Sequence, residues 1–174
     1  MSVQRKRIAL LSTGGTIEKT YDELSGLLTN QVSVLDVRLA SLELRGITLS
    51  RQQLMTKDSL DMTPDDHTLI ARAAGEAAAQ HDGVVVVHGT DRLAVSGERT
   101  LELWRPPAAP VVFTGAMRPY ELRNTDALQN LTEALLAAQL LAPGVYLAMH
   151  AQVLAFPGVV KDRALGSFRK LEGT

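Results

Sequence analysis

Short apolar runs separated by amphipathic stretches recur along the chain. Four runs are short enough to be strands: IALLS (8–12), VVVV (84–87), VVFT (111–114) and VYLAMH (145–150). They are continuous rather than alternating, which is typical of strands buried on both faces. The stretch from Leu42 to Met55 alternates apolar and polar residues and predicts one or two further strands.

Helix signals lie between these strands. The segment MTPDDHTLIARAAGEAAAQHDG has Thr63 as N-cap, Pro64 at the first helical position and Gly83 beyond the end. Residues 90–104 and 124–144 carry two more helical patterns. Strands that alternate with helices predict a single α/β domain of Rossmann-like or flavodoxin-like type, in which a doubly wound, mainly parallel sheet has helices on both faces.

Composition and charge limit the class of protein. A chain of 174 residues with 45% apolar content can bury one sizeable core but is too short for two full domains. Eighteen basic and nineteen acidic residues give a net charge of -1, with no basic cluster beyond QRKR at 4–7. Neither nucleic acid nor an anionic membrane is therefore expected as a partner. The absence of cysteine excludes thiol nucleophiles and thiolate metal sites.

The amino terminus lacks the pattern of a targeting segment. After the first basic residues the apolar run extends only from Ile8 to Leu11 before polar residues and glycines follow. This run is too short for the apolar region of a signal peptide and far too short to span a bilayer. The sequence therefore predicts a soluble cytoplasmic protein.

Each buried strand is followed by a turn of similar chemistry. IALLS is followed by TGGT, VVVV by HGTD, and VVF by TGAMRP. In a parallel sheet the carboxyl ends of the strands share one edge, where ligands of such folds bind at a topological switch point. Glycines let the backbone approach a ligand and expose N–H groups, while threonines supply hydroxyls. The three turns are predicted to converge on one pocket.

Simpler explanations exist for each turn taken alone. A Gly-rich turn can be a tight strand-to-helix connection, and Thr90–Asp91 and Asn124–Asp126 can be helix N-caps. A nucleotide site has no support, because neither the P-loop pattern nor G-x-G-x-x-G is matched. Three loops that are remote in sequence rarely share one chemistry by accident, so a common pocket is favoured.

These residues resemble the bacterial-type L-asparaginase and glutaminase family. The two signatures of that family are matched by STGGTIE (12–18) and GVVVVHGTD (83–91). Supporting stretches that agree in order and spacing are DSLDM (58–62), PVVFTGAMRP (110–119) and the NL within NTDALQNL (124–131). The resemblance covers nearly the whole chain and depends on several motifs, which makes it much more specific than a single glycine motif.

The resemblance implies catalytic roles for five residues. Thr16, the second threonine of TGGT, matches the nucleophile that attacks the side-chain amide carbon, forms an acyl-enzyme and releases ammonia. Tyr21 lies in the segment that acts as a mobile lid and helps to activate this threonine. Thr90 matches a second catalytic threonine and Lys161 the catalytic lysine, which completes a Thr90–Lys161–Asp91 relay.

Substrate contacts are implied by the same resemblance. Asp91 matches the aspartate that holds the α-amino group, Ser59 the residue that binds the α-carboxylate, and Ala116 a backbone contact to the substrate amide. The complete predicted substrate site comprises Gly15, Asp58, Ser59, Leu60, Gly89, Thr90, Asp91 and Ala116. Physical chemistry agrees, since a threonine nucleophile needs a relay and backbone N–H groups stabilise an oxyanion. Nothing in this chemistry requires a cofactor.

Two departures from the family pattern affect these expectations. The family usually has a glutamine after the serine of the α-carboxylate site, where this chain has Leu60, so one hydrogen bond to the substrate is expected to be lost. Family members also continue into a C-terminal domain that completes the site of a neighbouring subunit. The resemblance therefore implies that residues 1–174 form the N-terminal-type catalytic domain without that second domain.

The sequence as a whole predicts a homo-oligomeric L-asparaginase that converts L-asparagine to L-aspartate and ammonia, with L-glutamine as a weaker substrate. Two alternatives stay open. One is the amidase subunit of a tRNA-dependent amidotransferase, which needs a tRNA-contacting region and a partner chain. The other is a non-catalytic amino-acid-binding module, which would have no need for both Thr16 and Thr90 together with Lys161.

The four histidines receive structural interpretations. His67 and His81 are expected on the exposed side of a helix, His150 at a strand end and His88 in the wall of the pocket. They are scattered and form no H-x-x-x-H pair, so no metal site is expected.

Overall fold

A six-stranded sheet flanked by four helices forms the centre of the molecule. The computed structural model describes residues 4–30 and 34–173. The strands of this sheet are β1 (Lys6–Gly14), β4 (Ile47–Lys57), β5 (Gly83–Val87), β6 (Val111–Thr114), β7 (Val145–Met149) and β8 (Gln152–Ala155). The helices are α1 (Leu35–Ala40), α2 (Pro64–Ala78), α3 (Leu93–Leu103) and α4 (Ala127–Leu140).

The sheet has the order β4-β1-β5-β6-β7-β8, and all neighbouring pairs are parallel except β7 with β8. The chain passes from β1 outward to β4 and then returns to the other side of β1 to add β5, β6 and β7. This is the flavodoxin-like arrangement, in which the topological switch point lies between the first strand and the third strand of the parallel series. The predicted doubly wound α/β fold is confirmed, and its switch point lies between β1 and β5.

Two apolar layers cover the faces of the sheet. Alternate residues of β1 divide between them: Ala9 and Leu11 pack with α2 and α3, whereas Ile8 and Leu10 pack with α1 and α4. The four valines 84–87 of β5 divide in the same way and are completely buried. Because both faces of the sheet are covered, its buried strands consist of continuous apolar residues, as the sequence pattern indicated.

Helix α2 begins at its predicted cap. The Thr63 hydroxyl accepts a hydrogen bond from the Asp66 N–H at 3.3 Å, and the Asp66 carboxylate accepts one from the Thr63 N–H at 2.8 Å. This reciprocal pair is a capping box with Pro64 at the first position of the helix. Gly83 lies beyond the helix end, as expected, and is the first residue of β5.

Thr90, Asp91 and Asp126, for which the sequence also left a simpler role as helix N-caps open, do not cap a helix with their side chains. Helix α3 starts at Leu93 with Arg92 before it, so Thr90 and Asp91 lie outside the capping position. Asp126 does immediately precede α4, but its carboxylate makes no capping hydrogen bond to the helix. These polar side chains are therefore available for other contacts, which are described below.

Two small antiparallel hairpins lie outside the central sheet. One is formed by β2 (Thr20–Asp22) and β3 (Leu27–Thr29), and the other by β9 (Val159–Asp162) and β10 (Ser167–Lys170). The stretch 42–55 contributes one strand, β4, which begins at Ile47 and extends to Lys57. In the part of the chain that the structure describes, no helix is long and apolar enough to cross a bilayer.

Candidate active site

The turns after β1, β5 and β6 lie against one another at the carboxyl edge of the sheet. A Cβ atom added to Gly15 would lie 2.5 Å from the backbone of Gly89, and one added to Gly115 would lie 2.4 Å from the His88 carbonyl oxygen. The short segment after β4 joins them, because a Cβ atom at Gly89 would lie 2.8 Å from the Ser59 side chain. Backbone contacts of this closeness are open only to glycine, so the glycines bring four strand ends to one place.

Lys161 joins the two polar residues that follow Gly89. Its Nζ atom donates to Oγ1 of Thr90 at 2.8 Å and to Oδ1 of Asp91 at 2.9 Å. Arg163 adds a second donor to the same Asp91 oxygen at 3.0 Å. Lys161 belongs to β9, and it is 70 residues further along the chain than Asp91. The structure thus brings together the three residues of the predicted relay.

Asp58 and Ser59 form the wall next to this group. The Asp58 carboxylate receives a hydrogen bond from Lys19 Nζ at 2.8 Å and another from the Leu60 N–H at 3.1 Å. The hydrogen bond from Lys19 is the main reason that the pKa of Asp58 lies below its usual value, and the positive charge of Lys161 acts in the same direction. Ser59 is buried, and its hydroxyl accepts from the Arg92 N–H at 3.3 Å.

Thr16 begins a single 3₁₀ turn, Thr16–Glu18, directly after the Gly14–Gly15 pair. Gly15 has φ 83°, a left-handed backbone conformation that turns the chain out of β1 toward the pocket. The buried Glu18 carboxylate accepts a hydrogen bond from the Gly14 N–H at 2.8 Å and so fixes the base of this turn. Thr16 itself is half-buried, directly after the glycine that contacts Gly89.

Tyr21 and Leu60 lie at the periphery. Tyr21 is on β2 and is 59% exposed, and within residues 4–30 and 34–173 no hydrogen bond joins it to Thr16. Leu60 is 56% exposed in the 3₁₀ turn Ser59–Asp61. The structure therefore gathers Gly15, Ser59, Gly89, Thr90, Asp91 and Lys161, and it leaves Tyr21 apart from them.

Ala116 lies in the turn after β6 and is buried. Asp126 holds this turn, because its carboxylate accepts from the N–H groups of Met117 at 3.0 Å and Arg118 at 2.9 Å. Burial alone would raise the pKa of Asp126, but these hydrogen bonds outweigh it and the pKa lies below its usual value. Asn130 adds a bond from its side-chain amide to the Gly115 carbonyl at 2.9 Å.

A buried chain of hydrogen bonds, which the sequence did not predict, lies behind the HGTD turn. His88 Nδ1 lies 2.8 Å from the Gly89 carbonyl oxygen, which can only accept, so Nδ1 carries the proton. His88 Nε2 then accepts from the Ser96 hydroxyl at 2.8 Å, and Ser96 lies 2.7 Å from Nδ1 of His67. Burial lowers the pKa of His88 to about 4 and also lowers that of His67. Both rings are therefore neutral at neutral pH, and they support the peptide that precedes Thr90.

The expectation that His67 is exposed is wrong, because the side chain is 4% exposed. Helical spacing gives the reason: His67 belongs to the buried stripe of α2 that continues through Ile70, Ala71, Ala74 and Ala78. His81 is half-buried, and its ring contacts Ser50 Oγ and the Ala77 carbonyl. In the described ranges, no group of three or more histidine, aspartate or glutamate side chains is arranged to hold a metal ion.

The fold and the site together define an α/β domain that has a cluster of threonine, aspartate and lysine side chains at its switch point. Residues 7–167 match the model of the asparaginase N-terminal domain. The chain therefore belongs to the asparaginase family, which confirms the resemblance seen in its sequence.

Individual relatives agree with this assignment. An L-asparaginase from Thermococcus kodakarensis is 34% identical over 162 residues, which cover 92% of this chain and 49% of the relative. A glutamyl-tRNA(Gln) amidotransferase subunit from Haloquadratum walsbyi is 38% identical over 146 residues, which cover 83% of this chain and 33% of that protein. The chain thus spans about half of the first relative and a third of the second.

Solved structures show the same likeness. The thermostable L-asparaginase from Thermococcus kodakarensis superimposes with a TM-score of 0.86 at 31% identity, over 97% of this chain and 52% of that one. A probable cytoplasmic L-asparaginase from Campylobacter jejuni gives a TM-score of 0.79 at 28% identity, over 95% of this chain and 52% of that one.

Proposed function

We propose that this domain hydrolyses the side-chain amide of L-asparagine to give L-aspartate and ammonia. The observation that carries the proposal is the pair of hydrogen bonds from Lys161 to Thr90 and Asp91, beside the turn that contains Thr16. If Thr90 and Asp91 served only to cap a helix, they would need no contact with a lysine. A relay that transfers protons to a reacting group does need such a partner. Similar proteins described as L-asparaginases support the choice of substrate.

In the proposed first step, Oγ1 of Thr16 attacks the carboxamide carbon of the substrate. The hydroxyl proton is delivered to the departing nitrogen, the C–N bond breaks and ammonia leaves, so that an ester links the acyl group to Thr16. Backbone N–H groups of the Gly-rich turns would stabilise the negative charge that develops on the carbonyl oxygen. Tyr21 would assist when its hairpin closes over the substrate.

In the second step, water attacks the ester carbon and the bond to Thr16 breaks. One proton of the water passes along the hydrogen-bonded Thr90–Lys161 pair to the Thr16 oxygen as the acid product leaves. The hydrogen bond of 2.8 Å between Thr90 and Lys161 has the length that such a transfer requires. Lys161 and Thr90 would therefore act mainly on the hydrolysis of the acyl-enzyme.

The α-ammonium and α-carboxylate groups of the substrate are assigned to Asp91 and Ser59. Oδ1 of Asp91 accepts from both Lys161 and Arg163, and its other carboxylate oxygen would take the α-ammonium group. The α-carboxylate would be bound by the Ser59 hydroxyl and nearby N–H groups. Leu60 provides no side-chain hydrogen bond where the family has glutamine, so affinity for the substrate should be modest.

Ammonia release from L-asparagine and, separately, from L-glutamine tests the proposal. Asparagine-dependent release by the purified chain should disappear in Thr16→Ala. Thr48→Ala is the matched control, because Thr48 is an exposed threonine near the start of β4, at the opposite edge of the sheet. Absence of release from folded wild-type protein, or equal loss in both variants, would overturn the assignment.

A second candidate function is the amidase role in a tRNA-dependent amidotransferase. It is favoured by the 38% identity to a glutamyl-tRNA(Gln) amidotransferase chain. In that case glutamine or asparagine would be hydrolysed only when a partner chain and a tRNA are added. Homo-oligomer formation, a cytoplasmic location and weak glutaminase activity stay predictions of the sequence.

A further inference from the structure

The turn between β7 and β8 has an unusual composition for its conformation. His150 and Ala151 both have left-handed backbone angles, with φ of 56° and 59°, and Met149 pairs directly with Gln152 across the turn. Two-residue hairpin turns of this type favour asparagine, aspartate and glycine, since the left-handed region is sterically unfavourable for most other residues. Such strain persists where other contacts hold the residue in place.

Three contacts hold His150. Its N–H donates to Oδ1 of Asn130 at 3.1 Å. Its ring Nε2 lies 2.7 Å from Oδ2 of Asp126, and its Nδ1 lies 2.8 Å from the Ser167 hydroxyl. Because a carboxylate only accepts, Nε2 donates to Asp126. The imidazole thus forms a bridge between Asp126 and Ser167.

The first end of this bridge fixes the turn that contains Ala116. Asp126 is 4% exposed and holds the N–H groups of Met117 and Arg118. Asn130 donates to Asp126 at 2.9 Å as well as to the Gly115 carbonyl. The position of the whole turn after β6 is therefore determined by a carboxylate that His150 contacts.

The second end of the bridge fixes the hairpin that contains Lys161. Ser167 pairs with Asp162 across β9 and β10, and the next pair in register is Phe168 with Lys161. Phe168 is buried against the core, so the hairpin is anchored on that side by packing. Gln152 donates to the Phe168 carbonyl at 2.9 Å and gives the hairpin a tie that does not involve His150.

We propose that His150 is a positioning residue that sets the location of Lys161 relative to the turn around Ala116. This inference rests on the proposed hydrolytic function, in which these two parts of the site act on the same acyl group. The strained turn is retained because only a side chain with two ring nitrogens at this point spans Asp126 and Ser167. Asparagine would adopt the backbone more readily but is too short to make both contacts.

Kinetics of His150→Asn test the inference. Asparagine tolerates the left-handed backbone, so the turn should fold, while the link to Ser167 is lost. We expect kcat to fall about tenfold and KM to change by less than about threefold, because a displaced Lys161 weakens a contact used mainly in the transition state. Ala151→Gly relaxes the same turn without touching the bridge and should keep wild-type kcat. An unchanged kcat in His150→Asn, or an equal fall in both variants, would overturn the inference.

Amide hydrogen exchange provides a readout that does not depend on activity. In His150→Asn, the amides of Met117 and Arg118 and those of residues 159–162 should exchange faster together. If only residues near 150–152 change, the bridge is a local turn contact and the inference is wrong. Should the wild-type chain release no ammonia, the proposed function fails, and the exchange pattern still decides whether His150 couples the two segments.

Discussion

At the carboxyl edge of the sheet Ser59, Gly89 and Thr90 are buried, whereas in the β2–β3 hairpin Tyr21 is 59% and Leu24 94% exposed. The first region is fixed by backbone contacts between strand ends, and the second consists of two three-residue strands that, among residues 4–30 and 34–173, pair with no other strand. A short isolated hairpin has little stability of its own. The proposed chemistry is thus built on rigid elements, while the proposed closure over the substrate belongs to a weakly held one.

The sharpest test of this comparison uses two glycines that both have a positive φ. Gly15→Ala should lower the free energy of unfolding by about 3–5 kcal/mol, because strain at positive φ adds to the clash with Gly89. Gly26→Ala, in the hairpin turn, has φ 70° and open space around the new methyl group, so the loss should be about 1–2 kcal/mol. Urea denaturation measures both. Equal losses would mean that the strand ends are no more rigid than the hairpin.

Removing the Lys161 amine should affect turnover and leave the fold intact. Lys161→Met is expected to lower kcat about 10²- to 10⁴-fold, the range typical for loss of a proton-transfer group. Lys170→Met is the matched control, because Lys170 lies on the same hairpin and its amine donates to the Ala155 carbonyl, away from the site. Ammonia release gives the rates. A similar fall in both variants would assign the lysines to hairpin folding instead.

The buried His88 should make stability depend on pH. Above pH 6.5 the ring is neutral in both the folded and the unfolded chain, but between 6.5 and about 4 only the unfolded chain binds the proton. The free energy of unfolding should therefore fall as the pH is lowered through this window, by about 3 kcal/mol in total. Urea titrations at several pH values from 7.5 to 4.5 measure how steeply the free energy of unfolding depends on pH, which is the slope compared here. It should become smaller in His88→Gln, where only the contribution of His67 is left, and should persist in His81→Gln; equal slopes in all three proteins would contradict this account.

Tyr21→Phe examines the flexible region. We expect kcat to fall about 10- to 100-fold, equivalent to roughly 1.4–3 kcal/mol of activation free energy. The thermal midpoint should stay unchanged, because the side chain is largely exposed and lies on the isolated hairpin. Steady-state kinetics and a melting curve suffice, and an unchanged rate would refute the role of Tyr21 in closure.

Leu60→Gln should produce the smallest effect. Restoring a hydrogen bond to the α-groups of the substrate is expected to lower KM about two- to tenfold, in line with about 0.5–1.5 kcal/mol for one net hydrogen bond. Leu60 is exposed, so the fold should tolerate the change. A KM that stays constant or rises would show that residue 60 does not face the substrate.

Sequence patterns predicted the parts of the fold that depend on burial. The runs 84–87 and 111–114 are buried strands, and Thr63 caps α2 as expected. The hairpins β2–β3 and β9–β10 were missed, because strands of three or four residues with mostly exposed or half-buried side chains leave no clear period.

Part of the candidate site could be predicted from the sequence pattern, and part could not. Turns of one chemistry after parallel strands must share an edge, which is why Gly15 and Gly89 could be brought together from sequence alone. The contact between Lys161 and Thr90 spans 71 residues, and only the family resemblance pointed to it. The His88–Ser96–His67 chain had a visible signal, since His67 falls on the apolar stripe of α2, but helical spacing alone does not identify its partners.

The contact between Gly15 and Gly89 has an evolutionary consequence. The segments that carry Thr16 and Thr90 are separated by the thickness of two polypeptide backbones, with no side chain between these two glycines. Substitutions in the core can alter stability, but they do not readily increase the distance between these two segments. Sequence change elsewhere in the chain is therefore compatible with a fixed distance between the two segments, whereas a side chain at Gly15 would force them apart in a single step.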